Sequence, residues 1–238
     1  MAETELLNDS LLESSEIVAN NRMNRERGIR GNNSYTKDLG LDPMRFLCDR
    51  LQTQERAAWL DLCCGSGRAL IEAGQEFERD GLGGRVSLHG VDLVGLFAAV
   101  PRLPECVRLE EASLTAWTPG DDYDLITCVH GLHYIGDKLG LIRRAVSWLK
   151  PDGLFAAHLD YANLRLEDGK SVAVMIGKEL RNAGLEYRQH KRVLICRGRK
   201  ALDLPYLYIG ADDTAGPNYT GQPAVNSHYR IIAAKSPF

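Results

Sequence analysis

Apolar positions along this chain fall into short runs that close on an acid or a turn, alternating with stretches of helical period. The run Trp59-Leu60-Asp61-Leu62 leads into Cys63-Cys64-Gly65-Ser66-Gly67, after which apolar residues recur at Ala69, Leu70, Ala73 and Phe77. That order predicts a strand, a tight glycine turn and a helix in immediate succession. A second run, Arg85 to Asp92, also ends in an acid, as expected of a buried parallel strand. A third, from Tyr123 to Cys128, is largely apolar or β-branched and gives way to the polar loop Val129-His130-Gly131-Leu132-His133. Helical period returns over Leu139 to Leu149. A turn and strand then cover Lys150 to Asp160, and a helix Val172 to Leu185. Glu186 to Arg197 reads as one strand, Leu204 to Ile209 as another, and Tyr229 to Lys235 as a terminal one. Strands alternating with helices predict an α/β domain.

Two stretches break the pattern. Near the N-terminus, Ser10 with Glu13 three residues later is a capping-box signature, opening a helix to about Val18–Asn21. A polar stretch from Asn20 to Pro43 follows, too long for a simple connector, and Met44 to Leu51 then reads as a short helix. Tyr35, set among Asn, Ser and Thr, favours a lid over a disordered tail, because aromatic residues are depleted from disorder. Near the other end, Gly210 to Tyr229 is broken by Gly and Pro and crowded with hydrogen-bonding side chains. It is either an acceptor-recognition loop, with Asn218 and Tyr219 as substrate candidates, or a structural wrap. The chain is thus divided into an N-terminal helix and lid segment, 1–45, and a main domain, 46–238, that includes the polar loop 210–229.

The glycine turn carries the chemistry. Gly permits positive φ and close approach of a ligand to the backbone. The nicotinamide-dinucleotide fingerprint Gly-x-Gly-x-x-Gly fails, since Leu70 stands where its third glycine belongs. Asp61, just before the turn, would repel a pyrophosphate but attract a cation. In nucleotide-binding α/β folds an acid about 20 residues beyond the turn holds ribose hydroxyls. Asp92 has that place, the interval being lengthened by the polar, Gly-rich insert Arg79 to Arg85.

With Asp61, Gly65 and Gly67 in this spacing, the segment resembles motif I of the class I S-adenosylmethionine-dependent methyltransferases, commonly Asp-x-Gly-x-Gly-x-Gly. Cys63 replaces the first glycine, which predicts a backbone position that does not need positive φ. Further likenesses follow in order. Asp92 matches the ribose acid, and Glu111-Ala112-Ser113-Leu114 fits loosely the adenine-contacting segment. Tyr123-Asp-Leu-Ile followed by Leu132-His133-Tyr134 matches the fourth strand and its loop. Leu149-Lys150-Pro151-Asp152-Gly153 matches the turn into the fifth, with Asp152 in place of a glycine. The resemblance implies a Rossmann-like, seven-stranded, mostly parallel sheet with an antiparallel C-terminal hairpin and helices on both faces. Leu204 to Ile209 is expected to belong to that sheet.

The resemblance also implies S-adenosyl-L-methionine as cofactor, with S-adenosyl-L-homocysteine as product. The expected contacts are Asp61, Cys63, Gly65, Gly67, Asp92, Leu93, Ser113, Leu114 and Val129, with Tyr35 closing from the lid. His133 and His130 follow the fourth strand and are the candidates for a general base, His133 preferred because it holds the motif's Leu-His position. Asp160, at the end of the fifth strand, joins Asn218 and Tyr219 as a substrate candidate. Two classes stay open: methyl transfer to an N, O or C acceptor on a small molecule, such as a specialised metabolite, and a non-catalytic protein that binds S-adenosylmethionine or a nucleoside on the same fold.

Composition narrows the partners. At 238 residues the chain can hold one sizeable α/β core, and a net charge of −3 offers no footprint for nucleic acid. The Asn-Pro-Pro-Tyr motif of amino methyltransferases acting on bases is absent from the loop after the fourth strand. No run of 18 apolar residues is present, so a membrane span is not expected, nor is a secretory leader before the acidic start Met-Ala-Glu. Six cysteines lack Cys-x-x-Cys or zinc spacing. Free thiols and a reducing cytoplasm follow as expectations, with no metal and a monomer or homodimer. The basic residues Arg188, His190, Lys191, Arg192 and Arg197 read as the solvated face of an edge strand.

Overall fold

The computed structural model describes residues 6–19 and 26–232. Its elements run α1 (Asp9–Glu13), α2 (Glu16–Ala19), α3 (Tyr35–Leu39), α4 (Pro43–Leu51), β1 (Ala57–Leu62), α5 (Arg68–Arg79), β2 (Val86–Asp92), β3 (Val107–Glu111), β4 (Tyr123–Cys128), α6 (Lys138–Ser147), β5 (Leu149–His158), β6 (Leu164–Leu166), α7 (Ala173–Asn182), β7 (Glu186–Arg188), β8 (Val193–Arg197), β9 (Tyr206–Asp212) and β10 (Asn226–Ile231). Seven strands form one sheet in the order β3-β2-β1-β4-β5-β8-β7. The first five are parallel, while β8 runs antiparallel to both β5 and β7. This is the expected Rossmann-like α/β architecture.

Alternation along the strands divides the core in two. Leu60 and Leu62 of β1 pack on one face with Ile142, Val146, Ile176 and Leu180 of α6 and α7. Ala57 and Trp59 pack on the other with Met44, Leu47, Leu70 and Phe77 of α4 and α5. Ile29, Tyr35 and Leu39, from the polar stretch before α4, belong to this second cluster.

Several local expectations are corrected. Glu186 to Arg197 is a hairpin, β7 and β8, rather than one strand. No Gly or Pro marks its turn, and Arg192 takes the left-handed conformation there at φ 52°. Leu204 to Ile209 does not join the main sheet: β9 pairs with β10, which also pairs with β6, in a separate three-stranded sheet. The terminal strand starts at Asn226 rather than Tyr229, and Lys235 lies outside the described residues. At the N-terminus the cap is Asn8, not Ser10, its side chain accepting from the Leu11 amide. The helix breaks after Glu13, where the Ser14 hydroxyl bonds back to the Ser10 and Leu11 carbonyls. Its expected end, Asn20–Asn21, lies outside the described residues. Trp117 packs edge-on against His89 and Trp148, as a packing residue should. Among the described residues no helix is long and apolar enough to cross a membrane.

The second sheet is fastened to the layer around the main sheet at the start of α6. Lys138 is 1% exposed. Its ammonium donates to the Ile135 carbonyl at 2.8 Å, the Val225 carbonyl at 2.8 Å and Ser227 Oγ at 2.9 Å. The Tyr229 hydroxyl accepts from the Leu139 amide and donates to Asp137. Burial pushes the Lys138 ammonium down to about 7, against the pull of Asp212, Asp137 and Asp160. Lys138→Met keeps the volume but strands three buried acceptors. It should lower the unfolding free energy by about 1–3 kcal/mol, measured by urea titration.

Candidate active site

The carboxyl ends of β1, β2, β4 and β5 meet on one side of the sheet, where ligands bind in open α/β folds. At the end of β1 the chain turns through Cys63, Gly65 and Gly67, with φ of 55°, 60° and 70°. Cys63 therefore does adopt positive φ, against expectation. The turn needs that conformation whichever residue fills it, and space for the thiol comes from across the cleft. A Cβ on Gly131 would fall 2.3 Å from Cys63 Cβ and 2.8 Å from Cys128 Sγ. Glycine at 131 is what admits a side chain at 63.

Beneath this turn lies Asp61, with no exposed surface. Its two oxygens accept from the Tyr35 and Thr127 hydroxyls, each at 2.6 Å, and the Trp59 indole donates to Thr127 Oγ1 at 2.8 Å. Burial drives the Asp61 carboxyl up to about 7, although both hydroxyl donors favour the charged form. Asp61 and Tyr35 thus form a dry floor under the turn and do not themselves line the cleft. Gly67 caps α5.

Above the floor is a cleft that opens to solvent at its mouth, with about 810 Å³ of atom-free space including that open mouth. Cys63 and Gly65 form one wall. Asp92, Leu93, Leu114 and Thr115 form a second, and Val129, His130 and Gly131 a third, continuing to Tyr134, Ile135 and Gly136. Asp92 is held by the Gly65 amide at 2.9 Å and the Val94 amide at 3.2 Å. Ser113 sits at the edge, its hydroxyl 2.6 Å from Glu13 Oε1.

The roof comes from a part of the chain that the sequence did not connect with the cleft. Asp9, Leu12, Glu13 and Val18 of α1 and α2 cover it. Leu12 and Val18 pack with Ala211 and Val225. Leu7 and Ala211 exchange backbone hydrogen bonds, and the Tyr208 hydroxyl donates to Asp9 at 2.9 Å. The expected lid lies lower down. Its residues 26–41 dock on α5 through Ile29 N to Glu72 (2.8 Å) and Arg30 to Glu76 (2.7 Å), while Arg22 to Arg25 fall outside the described residues. Among the described residues, the charged side chains lining the cleft are those of Asp9, Glu13 and Asp92. These acids favour a cationic ligand.

Beside the cleft is a cluster of histidines. His130, at φ 61°, stacks on His158 with ring centroids 4.0 Å apart and planes within 9°. His133 lies 5.7 Å away. Tyr219, from the C-terminal loop, brings its hydroxyl to 3.4 Å from His130 Nδ1. Asp38 of α3 approaches His130 Nε2 at 3.5 Å. Burial alone would raise the Asp38 pKa, but bonds from His130 and Arg27 prevail and hold it at about 2. Burial lowers all three imidazoles: His158 to about 3, His133 well below the usual range, and His130 less, because Asp38 pulls it back.

Of the two base candidates, His130 is on the cleft wall, while His133 is fully buried behind it with neither ring nitrogen bonded to protein. Asp160, Asn218 and Tyr219 come together nearby. Arg192 donates to Asp160 Oδ2 at 2.5 Å and lies 4.4 Å over the Tyr219 ring, and Asn218 Oδ1 caps Thr220. Arg192 thus leaves the solvated edge assigned to it, because its left-handed turn swings it over β5. Sequence reasoning missed His158 and Asp38. His158 stands two residues before Asp160 at the end of an apolar strand, which was the available signal.

Residues 35–190 match the family model described as "Methyltransferase domain". Trans-aconitate 2-methyltransferase of Pseudomonas aeruginosa (strain UCBPP-PA14) is 31% identical over 138 residues, covering 56% of this chain and 48% of that protein. The chain therefore spans about half the length of the curated relatives it matches. Among solved structures, coclaurine N-methyltransferase bound to N-methylheliamine and SAH aligns with 17% identity and a TM-score of 0.39, over 65% of this chain and 48% of that one. YjhP from E. coli aligns with 19% identity and a TM-score of 0.42, over 60% and 64%.

Two outcomes follow for the acids. Asp92→Ala should weaken S-adenosylmethionine binding by about 1.5–3 kcal/mol in calorimetric titration, the worth of a charge-assisted contact. Asp61 has a folded pKa of about 7 against about 3.8 unfolded, so the folded state holds the extra proton between them. Stability should fall as pH rises through about 4 to 7, as the folded state gives up the proton it holds, and level off above 7. Asp61→Asn should flatten that slope in urea titrations across pH 4 to 8.

Proposed function

The chain belongs to the class I S-adenosylmethionine-dependent methyltransferases, and from that premise we propose that it methylates a proton-bearing oxygen or nitrogen of a small molecule, with His130 as the general base. The observation that carries this reading is His130 itself, a neutral imidazole on the wall of the cleft that motif I and Asp92 build. S-adenosylmethionine, when bound, supplies an electrophilic sulfonium methyl, so the chain's task is alignment, exclusion of water and removal of a proton.

The residues fit that cofactor. Asp92 stands ready for ribose hydroxyls between the apolar Leu93 and Leu114, which suit the faces of an adenine. Asp9 and Glu13 add negative charge opposite, favouring the sulfonium and ammonium. Asp92 also fixes the glycine turn through the Gly65 amide, while Asp61, buried beneath it, takes the Tyr35 and Thr127 hydroxyls. The roof of α1 and α2 and the docked segment 26–41 keep water out while transfer occurs. His130, depressed by burial, is unprotonated at neutral pH and can accept a proton. Asn218, Tyr219 and Asp160 face the acceptor from the C-terminal side.

Free cysteines, six in all, fit a reducing cytoplasm, and a specialised metabolite is the acceptor class we favour. The P. aeruginosa relatives are named for trans-aconitate, a carboxylic acid, and that acid belongs in any acceptor screen. A carboxylate acceptor has no proton to lose, and turnover on it alone would overturn the base assignment.

Methyl-labelled S-adenosylmethionine offered with phenols, amines, indoles and carboxylic acids should give label transfer to a proton-bearing acceptor. His130→Asn, a residue that tolerates the left-handed backbone, should then lower kcat by about 10²–10⁴-fold with cofactor affinity nearly unchanged. Hydrogen exchange should slow over Ser34 to Lys37 when S-adenosylhomocysteine binds. Unchanged protection there would remove segment 26–41 from the closing apparatus.

A further inference from the structure

The His130 ring is addressed from both edges by residues that lie far away in sequence. Asp38 Oδ2 faces Nε2 at 3.5 Å and the Tyr219 hydroxyl faces Nδ1 at 3.4 Å. Both distances are long for hydrogen bonds, as catalytic contacts often are before substrate arrives. Asp38 is also bound by Arg27 Nε at 2.6 Å, and His158 is stacked on a face of the His130 ring.

The hydrogen-bond inventory decides what such a contact does. An ionised carboxylate can only accept, so the nitrogen facing it must carry the proton. Resting on the function proposed above, we propose that Asp38 is a positioning residue that holds His130 as the Nε2–H tautomer, leaving Nδ1 to take the acceptor's proton. The acceptor's O–H or N–H bond breaks, and its proton passes to Nδ1. The electron pair left on the acceptor atom forms the bond to the methyl carbon, as the carbon–sulfur bond breaks with its pair going to sulfur. The imidazolium so formed faces the Asp38 carboxylate, which stabilises it. Tyr219 marks the edge of the ring from which the acceptor's hydroxyl or amine reaches Nδ1.

Because Asp38 rides on α3, the pair exists only when that helix is docked. Docking depends on the Tyr35 bond to Asp61 and on the Lys191 ammonium donating to the Lys37 carbonyl at 2.5 Å. The base is therefore oriented at the moment the site closes. The other charged or titratable groups around the ring are Arg27 behind Asp38, His133 and His158, and the Arg192–Asp160 pair behind Tyr219. Arg27 lowers the His130 pKa and Asp38 raises it.

Asp38→Asn tests the assignment. An amide can donate to Nε2 and reverse the tautomer, so kcat should fall by about 10²-fold or more. Cofactor affinity should stay near wild type. The acid limb of the kcat–pH profile should move to lower pH, because the group that raises the His130 pKa is gone. Asp38→Glu should recover part of kcat. Ring nitrogen-15 spectra, with the His130 signal identified by its loss in His130→Asn, should show Nε2–H in the wild type and Nδ1–H in Asp38→Asn. Nδ1–H in the wild type would overturn the proposal, and so would an Asp38→Asn enzyme with wild-type kcat or an unmoved acid limb. If the wild type methylates nothing in the acceptor screen, the proposed function fails, while the spectra still decide the tautomer.

Discussion

A carboxylate placed under a glycine turn, out of reach of water, is the constraint around which this site is organised. Asp61 has no exposed surface, and an isolated charge there would be costly. The chain answers with two hydroxyls, from Tyr35 and Thr127, and with a pKa near 7 that lets the group carry a proton. Each answer has a structural consequence. Thr127 is oriented by the Trp59 indole, which ties the floor to the core face shared with α4 and α5. Tyr35 can reach Asp61 only if the polar segment ahead of α4 folds inward, and that same fold carries Asp38 to the histidines.

The other half of the site is made by the two ends of the chain meeting. The roof α1–α2 is too short to be stable alone. It is held by apolar packing on Ala211 and Val225, by the Leu7–Ala211 backbone pairing, and by single polar contacts from Glu13 and Asp9. The second sheet that receives it is anchored in turn by the Lys138 ammonium and the Tyr229 hydroxyl. A small number of directional contacts therefore sets the geometry of the cleft's roof, while the main sheet supplies its walls through ordinary strand register.

Burial of three imidazoles side by side has a single electrostatic result. Desolvation disfavours the cation, and each ring adds to the cost of protonating its neighbours. The neutral forms are thus favoured, and the Asp38 carboxylate opposes the shift most directly at the ring it faces. His130 is that ring, and its position on the cleft wall gives the difference chemical meaning.

Much of this was written in the order of residues. The strand, glycine turn and helix from Trp59 to Phe77, the acid at Asp92 and the loop from Val129 to His133 are local patterns. Hydrophobic period and turn chemistry act over a few residues, and the family resemblance rests on the same segments. They were enough to predict the main sheet, the cofactor and the wall residues Cys63, Gly65, Asp92, Leu93, Leu114, Val129 and His130. What they could not predict depends on contacts between distant segments. No local pattern says that Leu12 covers the cleft, that β9 leaves the main sheet for β10, or that Arg192 turns over Tyr219. Room for the Cys63 side chain depends on the absent side chain of Gly131, 68 positions away in the chain. The choice between His130 and His133 turned on which ring faced the cleft and which faced the core. Packing of residues far apart in sequence sets burial, so the tertiary structure alone decided which histidine faces the cleft.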